Sequence, residues 1–375
     1  MKSIVSVLVA FLLIGALGIV GCAKKVEAPI ADDGGVAPTG RLKIGVSMPT
    51  RSLQRWNQDG ANLKASFEAA GYEVDLQYAG DNDVSAQISH IQNMISGGCG
   101  ALVIAAVDDN SLTEVLKGAA EANISVIAYD RLIKNSDAVA YYATFDNEEI
   151  GRAQATFIKD ALKLDAAVAG KDSFTIELFA GDLADSNADF FFQGAMDVLQ
   201  PYLDKGTLKV LSGQTTREQC AIPNWNTGES QKRMEGLISS NGYGPEETRL
   251  DAVLSANDSL ANGITNALVD AGYTADDFPL VTGQDCDTAS VQNMLKGLQS
   301  MSVFKDTRKL ASRAVLMVSS IVAGEEPEIN APDLYDNGQG LRVLTYQEDS
   351  RVVVKDDIQT VLVDSGYYQP ADIGL

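Results

Sequence analysis

Ten polar or aromatic side chains stand just beyond the ends of short apolar runs: Arg55, Trp56, Asp108, Asp130, Arg131, Asn187, Trp225, Asn257, Asp285 and Lys305. Arg51, Asp185 and Gln284 lie close to them in sequence. The set combines pure donors (Arg, Lys), pure acceptors (Asp) and amides that do both. Charge-assisted hydrogen bonds are about twice as strong as neutral ones, and an indole offers a flat apolar face. Together these groups suit a small ring with hydroxyls on its edge and C–H on its faces, as in a sugar. Each hydroxyl would need one acceptor and one donor, and this set supplies both.

Catalytic chemistry fits less well. His90 is the only histidine, and it lies among Ile88, Ile91, Met94 and Ile95 in a helical pattern. A Ser-His-Asp arrangement would have to use it. Gly45-Val46-Ser47-Met48-Pro49 fails the nucleophile-elbow pattern at its last position. No phosphate loop of the G-x-x-x-x-G-K-[ST] type is present. Gly97-Gly98-Cys99-Gly100 precedes its strand, where a dinucleotide loop would follow one. Asp81-Asn82-Asp83 lacks the Gly and final Glu of a calcium loop. A glycosidase needs only two carboxylates, so a hydrolase stays as a rival. The expectation is a binding protein, not an enzyme, with no cofactor and no metal.

The elements that must position these residues alternate in type. Apolar strands are predicted at Lys43–Met48, Glu73–Tyr78, Ala101–Ala106, Ser125–Tyr129 and Val139–Phe145. Between the first four, amphipathic helices are predicted over Arg55–Ala70, Val84–Ser96 and Ser111–Ala122, the last capped by Ser111. A second series comes after them. Its strands are Phe174–Phe179, Leu208–Ser212, Asp251–Ser255, Pro279–Gly283 and Met301–Phe304. Its helices are Gly151–Leu162, Asn187–Leu199, Glu229–Ser239, Leu260–Ala271 and Ala289–Leu295. Such alternation implies βαβ units and parallel sheets, here two doubly wound α/β lobes. Ligands of open α/β sheets bind beyond the carboxyl ends of the strands. Both lobes would therefore present their polar residues to one cleft.

The 375 residues carry 51 acidic against 29 basic side chains, a formal charge of −22. That balance opposes binding to nucleic acid phosphates. Cys99, Cys220 and Cys286 remain once Cys22 is set aside, and with no CxxC spacing a zinc site is not expected. Either all three are buried thiols or Cys220 and Cys286 pair.

The amino terminus sets the location. Lys2 precedes an apolar run, Ile4–Val20, that closes in Ile19-Val20-Gly21-Cys22. The pattern is secretory, and a cysteine after the cut site resembles the lipobox of bacterial lipoproteins. Residues 1–21 are then a signal peptide and Cys22 carries lipid; the alternatives are a short membrane anchor or a plainly cleaved signal. Residues 22–40, rich in small residues, Pro and Gly, read as a flexible linker. Extended, the 18 residues after Cys22 reach ~60 Å. The expected place is the periplasm or cell surface, attached to a membrane.

Six segments carry a family resemblance: Ser89–Ile95, Ala128–Ile133, Tyr142–Asn147, Gly283–Asp285, Phe304–Arg308 and Val363–Tyr368. Through them the chain resembles the periplasmic monosaccharide-binding proteins of ABC transporters, closest to the multiple-sugar- and xylose-binding members. The resemblance implies a type I fold: two Rossmann-like lobes joined by a three-crossing hinge that close on one aldopentose or aldohexose. It places 41–146 in the first lobe, completed by 307–340, and 147–306 in the second, completed by 341–375. Crossings would fall near Asp146, Asp306 and Leu341. Arg55, Trp56, Asp108, Asp130 and Arg131 would line one wall; Asn187, Trp225, Asn257, Asp285 and Lys305 would line the other. It further implies a monomer that serves an ABC permease with a separate ATPase, or signals to a sensor kinase or chemoreceptor.

Overall fold

The structure, a computed structural model, describes residues 41–375. The expected signal peptide, Cys22 and the linker lie outside the described residues. In the first lobe, strands β1 (Lys43–Met48), β2 (Glu73–Tyr78), β3 (Ala101–Ile104), β4 (Ser125–Tyr129) and β5 (Val139–Phe145) alternate with helices α1 (Gln54–Ala69), α2 (Val84–Ser96) and α3 (Thr113–Glu121). The second lobe then runs α4 (Asn147–Ala161), α5 (Leu164–Gly170), β6 (Phe174–Phe179), α6 (Asn187–Asp204), β7 (Leu208–Lys209) and α7 (Arg217–Cys220). It continues through α8 (Thr227–Asn241), β8 (Ala252–Ser255), α9 (Asp258–Asp270), β9 (Leu280–Val281), α10 (Thr288–Lys296) and β10 (Ser302–Lys305). Helix α11 (Thr307–Ala323), strands β11 (Leu344–Glu348) and β12 (Ser350–Val353) and helix α12 (Pro370–Ile373) end the chain.

The first sheet is wholly parallel, in the order β11-β5-β4-β3-β1-β2. The second is β7-β6-β8-β9. A parallel bridge between Gln284 and Val303 extends it to β10, which pairs antiparallel with β12. Strands β3 and β8 are buried along their whole length, as parallel strands covered on both faces must be. Helix α1 buries Leu63 and Phe67 against one face of the first sheet, and α2 buries Ile91 and Met94 against the other.

The chain passes between sheets three times. After β5, Asp146 turns the chain into α4, and its carboxylate accepts the Glu149 N–H at 3.0 Å. After β10, Asp306 does the same for α11, accepting from Arg308 N–H at 3.1 Å. Both caps adopt nearly one backbone conformation, φ/ψ −74/92° and −71/98°. An Asp N-cap thus ends a strand and starts a helix in the other lobe.

The third crossing corrects the expected boundary. It lies at Asp349, not at Leu341, because Leu344–Glu348 pairs in parallel register with Tyr141–Phe145 of the first sheet. The segment 341–348 therefore completes the first lobe, and only the chain from Ser350 onward belongs to the second. Its mixed run, Leu-Thr-Tyr-Gln-Glu at 344–348, gave no strand signal. Ser111 is a second correction. Helix α3 starts at Thr113 with no side-chain cap, and the Ser111 hydroxyl instead donates to Asp108 at 2.6 Å. Cys99, Cys220 and Cys286 are free buried thiols, so the Cys220–Cys286 pairing does not form.

Candidate functional site: a cleft between two lobes

Nine of the ten expected residues line one cavity between the lobes, with Leu53, Asp185, Phe191, Ser259 and Gln284 beside them. Asp108 is the exception. Its carboxylate accepts from Asn110 N–H and the Ser111 hydroxyl in a turn, and it does not reach the cavity. It follows β3 as expected, but the loop after the strand carries it past the sheet edge.

Arg55 is the hub. It leaves the first turn of α1, and its guanidinium meets Asp59 at 2.9 Å, Asp130 at close range and Asp285 of the other lobe at 3.4 Å. Asp59 also accepts from the buried Tyr129 hydroxyl. Arg131 donates to the Ala106 carbonyl at 3.0 Å and pairs with Asp185 of the second lobe at 3.0 Å. Asp185 in turn accepts from the Trp225 indole N–H at 3.2 Å. Lys305 pairs with Asp285 at 2.8 Å and lies 5.8 Å from the Phe191 ring centre. The Asn187 amide donates to the Asp130 carbonyl at 2.8 Å, also across the cleft. The lobes are thus held together by polar groups that belong to the walls themselves.

The tryptophans are placed differently from a simple stacking platform. Both the Arg55 and Arg131 guanidiniums lie over the Trp56 ring, at 4.9 and 5.1 Å. Trp56 therefore props the two cations through cation–π contact. The Trp225 indole rests on Gly181, where any Cβ would overlap its ring.

Three wall residues hold left-handed backbone conformations: Asp130 (φ 59°), Trp225 (φ 55°) and Asp285 (φ 98°). Each costs of order 1–3 kcal/mol and persists only where surrounding structure over-determines it, typically at functional sites. Asp285 is fixed by three successive N–H groups: its own to the Val303 carbonyl at 2.9 Å, Cys286 to the Ser302 hydroxyl at 3.1 Å, and Asp287 to the Asp258 carboxylate at 2.9 Å.

Burial pushes the Asp59 and Asp185 carboxyls up, against the opposing pull of Arg55 and Arg131. For Asp285 burial also raises, but Lys305 and Arg55 outweigh it and hold the carboxyl below its ordinary range. Behind it, burial and the Asp285 charge raise Asp287 from 3.8 to about 7, and burial also raises Asp258 well above the usual carboxylate range. A carboxyl that is harder to ionise when folded favours the folded state at acid pH. Stability should therefore fall as pH rises from about 4 through about 7, where Asp287 ionises. Melting followed at pH 5 and pH 8 should show Tm lower at pH 8 by about 5 °C. Asp287→Asn should flatten part of that slope; an unchanged slope would show that Asp287 ionises normally.

Asp59 and Phe191 were missed at the sequence level, yet a signal existed. Asp59 continues the stripe Arg55, Asp59, Leu63, Phe67 at i, i+4, i+8, i+12, an acid on the apolar face of α1. Phe191 stands one turn beyond Asn187 in α6. Helical spacing of four places both beside a wall residue.

Two α/β lobes with three crossings and a polar cavity at the facing strand ends define a two-lobed, type I solute-binding fold. The chain belongs to the periplasmic binding protein domain family, whose match covers residues 44–326. It is 42% identical over 371 residues to the multiple sugar-binding periplasmic receptor ChvE of Rhizobium radiobacter, covering 98% of this chain and 99% of that one. It is 30% identical to the D-xylose-binding periplasmic protein of Escherichia coli, covering 88% and 92%. An ABC transporter solute-binding protein from Clostridium phytofermentans, solved with bound β-D-glucose, superposes with a TM-score of 0.84 at 51% identity, covering 88% of this chain and 99% of that one.

Proposed function

We propose that the protein is an extracytoplasmic receptor that captures one neutral aldopentose or aldohexose by lobe closure and delivers it to an ABC importer. The observation that carries this reading is the charge pairing of the cleft. Arg55, Arg131 and Lys305 are each already matched to carboxylates among Asp59, Asp130, Asp185 and Asp285. Such a wall offers donors and acceptors in alternation and leaves none of these three cations unpaired for an anionic ligand. It suits hydroxyls. Similarity to sugar-binding proteins supports the same reading. A ligand that bridges both walls stabilises the closed state by its differential contacts.

A thermal-shift panel of D-glucose, D-galactose, D-xylose and L-arabinose tests it, since a ligand that binds only the folded state raises apparent stability. At least one aldose should raise Tm by several degrees; no shift with any of them at millimolar concentration would overturn the reading. Asn257→Ala and Asp285→Ala should each weaken that sugar about 10- to 100-fold, the scale of an unpaired buried polar group. Calorimetry returning wild-type affinity for both would show that the cleft is misassigned.

We further propose that Cys22 holds the protein on a membrane through lipid. Cys22→Ser should move the protein into the soluble fraction of cells, and retention on the membrane would exclude the lipid. A sensory role is a second reading, favoured by the similarity to a multiple sugar-binding periplasmic receptor. In a deletion strain, loss of sugar uptake with signalling intact would assign transport alone.

A further inference from the structure

The motif Val363–Tyr368 contributes nothing to the cavity lining, yet one atom of it joins the two lobes. The buried Tyr368 hydroxyl accepts from Gln54 Nε2 and from Gln58 Nε2, both at 2.9 Å, and both on α1 of the first lobe. It donates to the Cys286 carbonyl of the second lobe, at 2.9 Å. A phenol has one proton and two lone pairs, so this hydroxyl is saturated. Gln54 precedes Arg55, and Cys286 follows Asp285. The Gln54 amide oxygen completes the span by accepting from Thr288 N–H at 3.1 Å and the Thr288 hydroxyl at 2.8 Å.

The contacts form a seam along one face of α1. Gln54, Gln58 and Asn62 recur at a spacing of four, so they share that face. Asn62 donates to the Thr307 hydroxyl at 2.9 Å, beside the Asp306 crossing, and Thr307 meets the Tyr367 hydroxyl at 3.1 Å. The seam runs from the hinge to the rim of the cleft. Near the hinge its partners are a crossing residue and Tyr367; at the rim they belong to α10 and the Asp285 turn.

We propose that Tyr368 is a positioning residue of the cleft: its hydroxyl ties the helix that carries Arg55 to the turn that carries Asp285, and so sets how long a closed ligand stays bound. The inference rests on the sugar-binding reading and adds to it a latch that does not touch the sugar. The tie joins the chain neighbours of the two residues that meet across the cleft at 3.4 Å. Opening must break the two hydrogen bonds that α1 donates to Tyr368, while Tyr368 stays bonded to the Cys286 carbonyl within its own lobe, a residue itself left-handed at φ 54°.

Stopped-flow release of D-glucose, or of whichever panel aldose binds, reads the latch. Tyr368→Phe keeps the ring and removes only the hydroxyl. Release should quicken about tenfold with association nearly unchanged. Gln54→Ala should quicken release at least as much, since it also removes the Thr288 contacts, and the double variant should fall short of the product of the two single effects, since both lose the Gln54–Tyr368 bond. A purely structural hydroxyl would lower Tm and leave the release rate at the wild-type value, which would overturn the proposal. Should Tyr368→Phe fail to fold, Gln54→Ala and Gln58→Ala carry the test, and wild-type release in both overturns it. If the wild type binds no aldose, the sugar reading fails by itself. The latch is then read from spin labels on the two lobes of the ligand-free protein. The short-distance population should shrink in Tyr368→Phe, and identical distributions would overturn the latch.

Discussion

Arg55→Ala is expected to cost about 3–5 kcal/mol of stability and to abolish ligand binding. The stability figure is that of breaking a buried ion pair from one side. Arg55 faces three buried carboxylates, Asp59, Asp130 and Asp285, from two lobes. Removing it leaves all three without their shared cation in a site where burial already opposes ionisation of Asp59. A lost neutral hydrogen bond would cost only about 1 kcal/mol, so the size of the effect separates the two descriptions. Acid should relieve the loss, because protonated carboxyls no longer need a cation. Urea unfolding at pH 7 and pH 5 checks both points. A loss below about 1 kcal/mol at pH 7, as for an exposed pair, would mean that water screens the cluster. Arg55→Lys should recover little, because one ammonium cannot present the planar fork that three carboxylates share.

Gly151→Ala is expected to be nearly as damaging, for a steric reason alone. Helices α4 and α6 cross where their backbones touch. A Cβ at Gly151 would overlap the Phe191 carbonyl oxygen, and one at Gly194 would overlap that of Glu148. The obstacle is backbone on both sides, so no side-chain rotation relieves it. Overpacking of this kind costs about 1–3 kcal/mol or more. It also acts on the cleft, because α6 starts at Asn187 and carries Phe191, both of which line the cavity. Weaker sugar binding should therefore accompany the lower Tm. Gly236→Ala in α8 is the control: its Cβ would meet open space, and a helical Gly→Ala there should be neutral or stabilising by up to about 1 kcal/mol. Equal effects at Gly151 and Gly236 would exclude the steric account.

Much of this architecture is legible from periodicity, and the exceptions have physical causes. Strand β4 and helix α2 fall where the apolar pattern places them, because a buried parallel strand is a short apolar run and a core helix is apolar every third or fourth residue. Strand β11 is not legible. It lies on the sheet edge with only Thr345 fully buried, so its pattern is set by one neighbour instead of two. At the cleft, the rule that polar groups gather past strand ends places nine residues correctly beside the cavity. It fails at Asp108, because it knows the direction of a strand and not the length of the loop after it. It misses Asp59, because a buried acid in mid-helix is not at a strand end. What no one-dimensional pattern could supply is the pairing of Arg131 with Asp185 or of Arg55 with Asp285, since each joins lobes through the hinge.

The left-handed conformations of Asp130, Trp225 and Asp285 also limit how this site can change over generations. A β-branched side chain is a severe misfit at such a backbone position, so Val, Ile and Thr are closed to three of the wall positions before any ligand is considered. Drift in ligand preference must then run through neighbours with ordinary backbones, chiefly Ser259, Phe191 and Leu53. A directed-evolution library that randomises those three and leaves the left-handed residues fixed should yield more folded variants, and more altered preferences per folded variant, than one that randomises the whole wall.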